Sequence, residues 1–162
     1  MSEQLWSLHT SLPLEIAERM IDAAIAVRRK EKLLPLAIAV LDAGGNLVAF
    51  KRENGCGVLR YDIAFGKAWG ALGMGMPTRM IRDRLANRPS FQSALAAASE
   101  GRFIPTPGGV LVLDASEQAI GAIGISGDAS DKDEYCAISA VQAAGFGSMP
   151  AEPNPDWRAA GL

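Results

Sequence analysis

Histidine and cysteine are scarce in this sequence, which limits the metal sites and nucleophilic centres that it can form. The 162 residues contain one histidine, His9, and two cysteines, Cys56 and Cys136, with no Cys-x-x-Cys spacing. A protein-built zinc site needs a cluster of such ligands, and a Ser-His-Asp triad needs a histidine held beside its serine. No metal site and no such triad are therefore expected, and the cysteines are expected to be reduced thiols in a cytoplasmic protein.

Phosphate-binding loops, long apolar runs and a strong net charge are also missing. No G-x-G-x-x-G or P-loop motif joins a strand to a helix, and no apolar run approaches the roughly 18 residues of a membrane span. The formal net charge is −2, and residues 1–4 do not resemble a secretory signal. We expect a cytoplasmic protein whose partners are neither nucleic acids nor membranes.

What the sequence does contain suits one folded domain. Hydrophobic residues make up 49% and charged residues 21% of the chain, which is typical of a soluble globular protein. We assign residues 1–147 to a single domain and residues 148–162 to a proline-rich tail. The tail carries Trp157, a large aromatic that is expected to dock on the body of the protein or on a neighbouring subunit.

Two hairpins with similar sequences before their turns predict most of a sheet. Residues 36–41 and 47–51 flank one turn, and residues 110–114 and 118–126 flank the second, with Asp42 and Asp114 in matching positions. Both aspartates are expected to accept backbone N–H bonds in the turns. The pattern predicts a four-stranded, mainly antiparallel sheet, with a candidate fifth strand at residues 102–104.

Helical periodicity and end signals predict five helices around that sheet. The helices are expected to begin near residues 14, 59, 78, 89 and 130. Ser130 is the expected N-cap of the last helix, with Asp133 three residues on, and Gly145 is expected just after its end. In the second helix the small residues Ala64, Ala68 and Ala71 indicate close packing against the sheet or against another subunit.

Two charged residues are the candidates for proton transfer. Lys67 has no carboxylate at the neighbouring helical positions, so it is either a solvated or snorkelling lysine, a cation aimed at an anionic ligand, or a general acid with a lowered pKa. Glu134 shares a helical stripe with Ile138 and Val141, and it is either a helix-end charge or an acid/base at a pocket edge.

Six further residues are candidates for holding an anionic ligand. Arginines near strand ends can clamp a carboxylate, and glycines or a serine near a helix N-terminus can present free N–H groups to it. The glycines can equally allow another piece of backbone to approach closely. These candidates are Arg52, Arg102, Gly108, Gly109, Ser126 and Gly127.

Several segments together resemble the GlcG/HbpS family, which includes the C-terminal domain of PduO-type proteins. They are residues 39–45 (AVLDAGG), 62–68 (DIAFGKA), 75–78 (GMPT), 107–110 (PGGV) and 121–127 (GAIGISG), followed by Asp133-Glu134. The resemblance implies an α/β (α+β) fold of the profilin-like kind, with about five mainly antiparallel strands flanked by helices. It also implies homo-oligomers, some of which bind haem while others accompany small-molecule catabolism.

Two functions follow from these expectations. The first is a cofactor-independent tautomerase, hydratase or hydrolase that acts on a small carboxylate through Lys67 and Glu134. The alternative is a non-catalytic haem-binding or accessory protein. The position of His9 before the first helix speaks against haem, but Cys, Met, Thr or a neighbouring subunit can also supply an iron ligand.

Overall fold

The computed structural model describes residues 5–162, which form five α-helices and a five-stranded antiparallel sheet. The α+β fold expected from the resemblance is confirmed. The helices are α1 (Leu14–Glu31), α2 (Arg60–Met74), α3 (Thr78–Leu85), α4 (Pro89–Ala98) and α5 (Ser130–Ala143). The strands are β1 (Ala37–Asp42), β2 (Leu47–Arg52), β3 (Gly109–Leu113), β4 (Ala119–Ser126) and β5 (Gly147–Met149). Within the described residues, no helix is long and apolar enough to cross a membrane.

The two hairpins meet at the centre of the sheet. The strand order is β2-β1-β4-β3-β5, so β1 and β4 are neighbours, and every pairing is antiparallel. In the hairpin turns, Asp42 accepts the N–H groups of Gly44 and Asn46, and Asp114 accepts those of Ser116 and Gln118. The two aspartates are therefore turn residues, as their matching positions predict.

The two faces of the sheet carry side chains of different size. The large residues Ile38, Val40 and Ile123 face α1 and α5. The opposite face carries mainly small residues beside Leu41 and Leu111, and α2 covers it. A Cβ added to Gly124 would lie only 1.9 Å from the carbonyl oxygen of Ala64, so the backbones of α2 and β4 nearly touch. The small residues of α2, Ala64, Ala68 and Ala71, therefore pack against the sheet.

The fifth strand lies elsewhere than predicted. Residues 102–104 form no strand, because the Arg102 N–H bonds to the Ser99 carbonyl and Phe103 packs with Ile81 and Leu85. The fifth strand is β5, which pairs with β3 at the sheet edge. It crosses the predicted boundary after residue 147, and the division into domain and tail stays a prediction.

The start of α5 differs from the expected cap. The N-cap is Ala129, and Ser130 makes no capping hydrogen bond with its side chain. Instead, Asp133 Oδ1 accepts the Asp128 N–H at 3.0 Å, so a carboxylate inside the first turn holds the incoming loop. At the other end Gly145 has a φ of +89°, a conformation that favours glycine after a helix.

Candidate functional site

A buried ion pair lies between α2 and α5. The Lys67 side chain is almost fully buried, with the residue 1% exposed, and its Nζ lies 3.0 Å from Asp133 Oδ2. The same ammonium donates to the Ile125 carbonyl at 2.9 Å. The solvated-lysine alternative is therefore wrong, and the partner of Lys67 is a carboxylate 66 residues away in the sequence.

Burial shifts the pKa values of both members of this pair. Desolvation lowers the pKa of Lys67 and raises the pKa of Asp133, because an apolar interior disfavours either charge. Their mutual attraction opposes both shifts. Arg60, at the start of α2, lowers the pKa of Lys67 further through charge repulsion.

Gly108 and Gly109 lie directly against Lys67. A Cβ at Gly108, whose φ is +120°, would lie 2.9 Å from Lys67 Nζ, and one at Gly109 would lie 2.3 Å from the Lys67 carbonyl oxygen. The Gly109 N–H donates to Thr78 Oγ1 at 2.8 Å. These glycines allow backbone to approach backbone, and their predicted contact with a ligand stays a prediction.

Glu134 is a buried carboxylate without a hydrogen bond. The residue is 0% exposed, and among the described residues neither carboxylate oxygen has a hydrogen-bond partner. Nη1 of Arg79 lies 3.3 Å from Oε2, close enough for an ion pair. Burial raises the pKa of Glu134 to about 7, although Arg79 opposes the shift. The helix-end alternative does not describe this enclosed group.

Lys67 and Glu134 lie in one neighbourhood but not in an open pocket. The charge of Glu134 is near enough to act on the pKa of Lys67, and Glu134 directly follows Asp133 in α5. However, both side chains are closed off from solvent in the single chain. Their catalytic role stays a prediction, and any substrate would need this part of the protein to open.

A second group of predicted residues gathers at the N-terminal end of α2. Ser126 is buried, and its Oγ accepts a hydrogen bond from Arg60 Nη1 at 3.1 Å. Gly127 lines a neighbouring cavity of about 270 Å³. Arg52 donates to the Cys56 carbonyl at 2.8 Å, so it fixes the loop beside that cavity.

Arg102 lies at the other end of α2. Its guanidinium carbon is 4.5 Å from the centre of the Trp69 ring, which is cation–π geometry. Trp69 and Gly73 form a common wall of two adjoining cavities of about 140 and 170 Å³. We call this feature the Trp69 groove; its other lining residues are Ala43, Gly44, Gly45, Gly70, Leu72, Met74, Leu95, Ala98, Ser99 and Phe103.

The segment of residues 5–11 ends beside this groove. The Ser11 side chain accepts the Ala43 N–H at 2.9 Å, and Ala43 lines the groove. His9 is exposed two residues earlier, and Trp6 and Leu8 are each 86% exposed. Large apolar side chains that are this exposed can contact another apolar surface or a ligand. Within residues 5–162, no three potential metal ligands from His, Cys, Asp and Glu cluster together.

Comparison with known proteins decides the family. The model of the family described as "Haem degrading protein HbpS-like" matches residues 12–142. The chain belongs to the HbpS-like family. The GlcG/HbpS resemblance seen in the sequence is thereby confirmed.

Individual relatives of this HbpS-like protein match most of its length. An uncharacterized 15.0 kDa protein of Citrobacter freundii, from the dhaT-dhaS intergenic region, is 28% identical over 131 residues, which cover 81% of this chain and 90% of the relative. The structure described as a PduOC:heme complex has a TM-score of 0.76 at 23% identity, covering 85% of this chain and 98% of that one; it supports the fold. A double mutant of HbpS from Streptomyces reticuli has a TM-score of 0.70 at 28% identity, covering 90% and 93%.

Sequence reasoning missed several residues of these sites. The sequence pattern marks Asp133 only as part of a helix cap, although the lack of a carboxylate near Lys67 on its own helix indicates a partner elsewhere in the chain. Arg60, Trp69 and Met74 carry no local motif that marks them, because only the packing of α2 against the sheet and the 99–104 segment brings them to cavities. In this HbpS-like chain, tertiary contacts define the candidate sites.

Proposed function

We propose that this HbpS-like protein is a haem-binding accessory protein whose haem lies in the Trp69 groove. The observation that carries the proposal is this groove, whose apolar part contains Trp69 and Phe103 and whose other part contains Ala43. Ala43 bonds to Ser11, two residues after the only histidine of the sequence. Family membership supports haem as the ligand, since the family is described as haem degrading and one similar fold is described as a heme complex.

Residues in and beside the groove can serve three chemical needs of haem. The ring needs apolar faces, the iron needs a ligand such as His or Met, and the propionates need cations. Trp69 and Leu72 supply apolar surface, and Met74 supplies a thioether. Arg102, whose guanidinium lies over the Trp69 ring, supplies a cation. When bound, haem would supply iron redox chemistry; the protein's own residues would hold and orient it.

The segment before α1 can complete the site. Two residues span at most about 7 Å, so His9 stays close to the root of the segment at Ser11 and Ala43. The groove cavities of about 140 and 170 Å³ are smaller than the roughly 300 Å³ or more of typical ligand pockets, so part of a haem would project from them. Trp6 and Leu8 can cover that part.

A hemin titration followed by the Soret band tests the proposal. We expect a saturable shift at one equivalent of hemin per chain or per pair of chains. His9→Ala or Met74→Leu should change the Soret position, depending on which ligand binds iron, and Arg102→Gln should weaken binding.

Met80→Leu is the matched control for Met74→Leu, because Met80 lies on α3 and is exposed. It should leave the titration unchanged. Unsaturable binding would contradict haem as the ligand. A saturable shift that none of the groove variants alters would contradict the groove as the location.

The second candidate is the cofactor-independent tautomerase, hydratase or hydrolase. Glu134 favours it, because a pKa near 7 suits a group that exchanges protons at neutral pH. Turnover of unsaturated oxo-carboxylates should then disappear in Glu134→Gln with the fold retained. Full activity of a folded Glu134→Gln would reject this function. Self-association, which the family resemblance implies, also stays a prediction for this chain.

A further inference from the structure

We propose that the cavity at the N-terminal end of α2 is a binding site for a small organic carboxylate, with Arg60 as its charged anchor. Its walls combine Arg60 with two apolar residues, three glycines and a thiol, and its volume is about 270 Å³. The lining residues are Leu34, Pro35, Gly55, Cys56, Gly57, Arg60 and Gly127. It is a different site from the Trp69 groove, since residues 60 and 72 are separated by about 18 Å along the helix.

Arg60 is a half-buried cation whose charge is not matched. Within residues 5–162, its one side-chain hydrogen bond goes to a neutral hydroxyl, Ser126 Oγ, at 3.1 Å, and no carboxylate forms an ion pair with it. A guanidinium carries five N–H donors, so several remain for a ligand. A planar carboxylate fits this donor pattern with two parallel bonds.

The neighbouring charges also favour an anion. The charge of Arg60 acts on the buried carboxylate of Asp133, but Oδ2 of Asp133 is already bound to Lys67. Two further carboxylates lie beside the cavity, and each has its own cation. Asp128, which accepts the Leu34 N–H, lies 3.5 Å from Lys132, and Glu53 lies 3.4 Å from Arg28. Arg60 and Lys67 therefore share Asp133, and the local charge is positive. Glu134 does not change this balance, because Arg79 faces it at 3.3 Å.

The rest of the cavity restricts the ligand to a small, partly apolar acid. Leu34 and Pro35 offer apolar contact, and Gly55, Gly57 and Gly127 leave room for close approach to the backbone. Burial raises the pKa of the Cys56 thiol, so this wall adds no negative charge that would repel an acid. A volume of about 270 Å³ suits a carboxylic acid the size of benzoate.

Amide NMR with benzoate and its neutral analogue benzamide tests the site. Benzoate should cause saturable shifts at the amides of Gly55, Gly57 and Gly127, and benzamide should bind at least about ten-fold more weakly because it lacks the charge. The inference is overturned if benzoate causes no saturable shift at these amides, or if benzamide binds equally well.

Variants of Arg60 test the anchor. Arg60→Gln should weaken benzoate binding about ten- to hundred-fold, and Arg60→Lys should weaken it less because the charge is kept. Arg84→Gln, on exposed α3 surface, is the matched control and should bind like the wild type. Unchanged benzoate affinity in Arg60→Gln would overturn the assignment.

Alkylation of Cys56 gives a readout that needs no variant. Cys56 lines the cavity and is 5% exposed, whereas Cys136 is fully buried, so mass spectrometry can follow iodoacetamide at Cys56 alone. Saturating benzoate should slow this reaction several-fold, and an unchanged rate would contradict occupancy of the cavity. Haem binding at the Trp69 groove is independent of this result, so either proposal can fail alone.

Discussion

Lys67 holds its ammonium in the protein interior through two fixed contacts, Asp133 Oδ2 at 3.0 Å and the Ile125 carbonyl at 2.9 Å. Such a pair contributes little net stability when intact, because both charges lose their hydration. Removing one member is costly, because the other charge is left buried without a partner. The ion pair therefore makes the α2–α5 contact sensitive to single substitutions.

We expect Lys67→Met to destabilise the fold by about 3–5 kcal/mol, since Asp133 would then be buried alone. The double variant Lys67→Met/Asp133→Asn should recover much of this loss, because the neutral amide can still accept the Asp128 N–H. Chemical denaturation followed by circular dichroism measures both free energies of unfolding.

Lys30→Met is the control, because Lys30 is exposed on α1. Its free energy of unfolding should stay within about 0.5 kcal/mol of the wild type. A Lys67→Met variant as stable as Lys30→Met, or a double variant no better than the single one, would show that the pair is not a buried charge pair in solution.

Glu134 should make stability depend on pH in the direction opposite to that of most carboxylates. Its pKa is raised from 4.5 to about 7 in the folded protein, so the folded state binds more protons than the unfolded state between these values. The stabilisation is fully present below about pH 4.5 and is lost as the pH rises through 7. The loss is at most about 3 kcal/mol.

Comparison with Glu134→Gln isolates this group from other titrating residues. Urea denaturation between pH 5 and pH 8 should show the variant gaining stability relative to the wild type as the pH rises. A difference between the two proteins that does not change with pH would mean that Glu134 is already ionised at pH 5 in the folded state.

At the scale of elements, the sequence predicts the regular parts of the fold and misses the short irregular ones. The hairpins and helices have long periodic patterns and clear turn residues, so their positions are confirmed. The strand β5 covers only three residues, Gly147–Met149, and forms because β3 offers a free edge. A pattern that short has no period to detect, whereas residues 102–104 resemble a strand but lie over α2.

The contact between α2 and β4 gives the prediction at this scale. Gly124→Ala should destabilise the protein by about 3 kcal/mol or more, because the new Cβ would lie 1.9 Å from the Ala64 carbonyl oxygen and α2 would have to shift. Gly161→Ala is the matched control, because no atom lies within 4 Å of a Cβ there. Thermal unfolding compares the two. Equal melting temperatures would contradict the close approach of the two backbones.

At the scale of the whole molecule, the candidate sites depend on long-range contacts that a sequence pattern does not contain. The sequence marks both candidates for proton transfer through a local exception. Lys67 is a charge without a partner on its own helix, and Glu134 is a charge on an apolar helical stripe. Arg60 and Trp69 break no local rule, and they gain their importance from the cavities at the two ends of α2. The family resemblance predicts the fold, but it does not locate the ligand.

Locating haem on the whole molecule is the most direct test of the proposed function. The paramagnetic iron of hemin broadens the amide signals of nearby residues, so an NMR titration of uniformly labelled protein reports where the haem lies. If haem lies in the Trp69 groove, we expect selective loss of the signals of Gly44, Gly45, Leu72 and Gly73 at one equivalent of hemin per chain or per pair of chains. Loss confined to residues away from the Trp69 groove, or no selective loss, would contradict it.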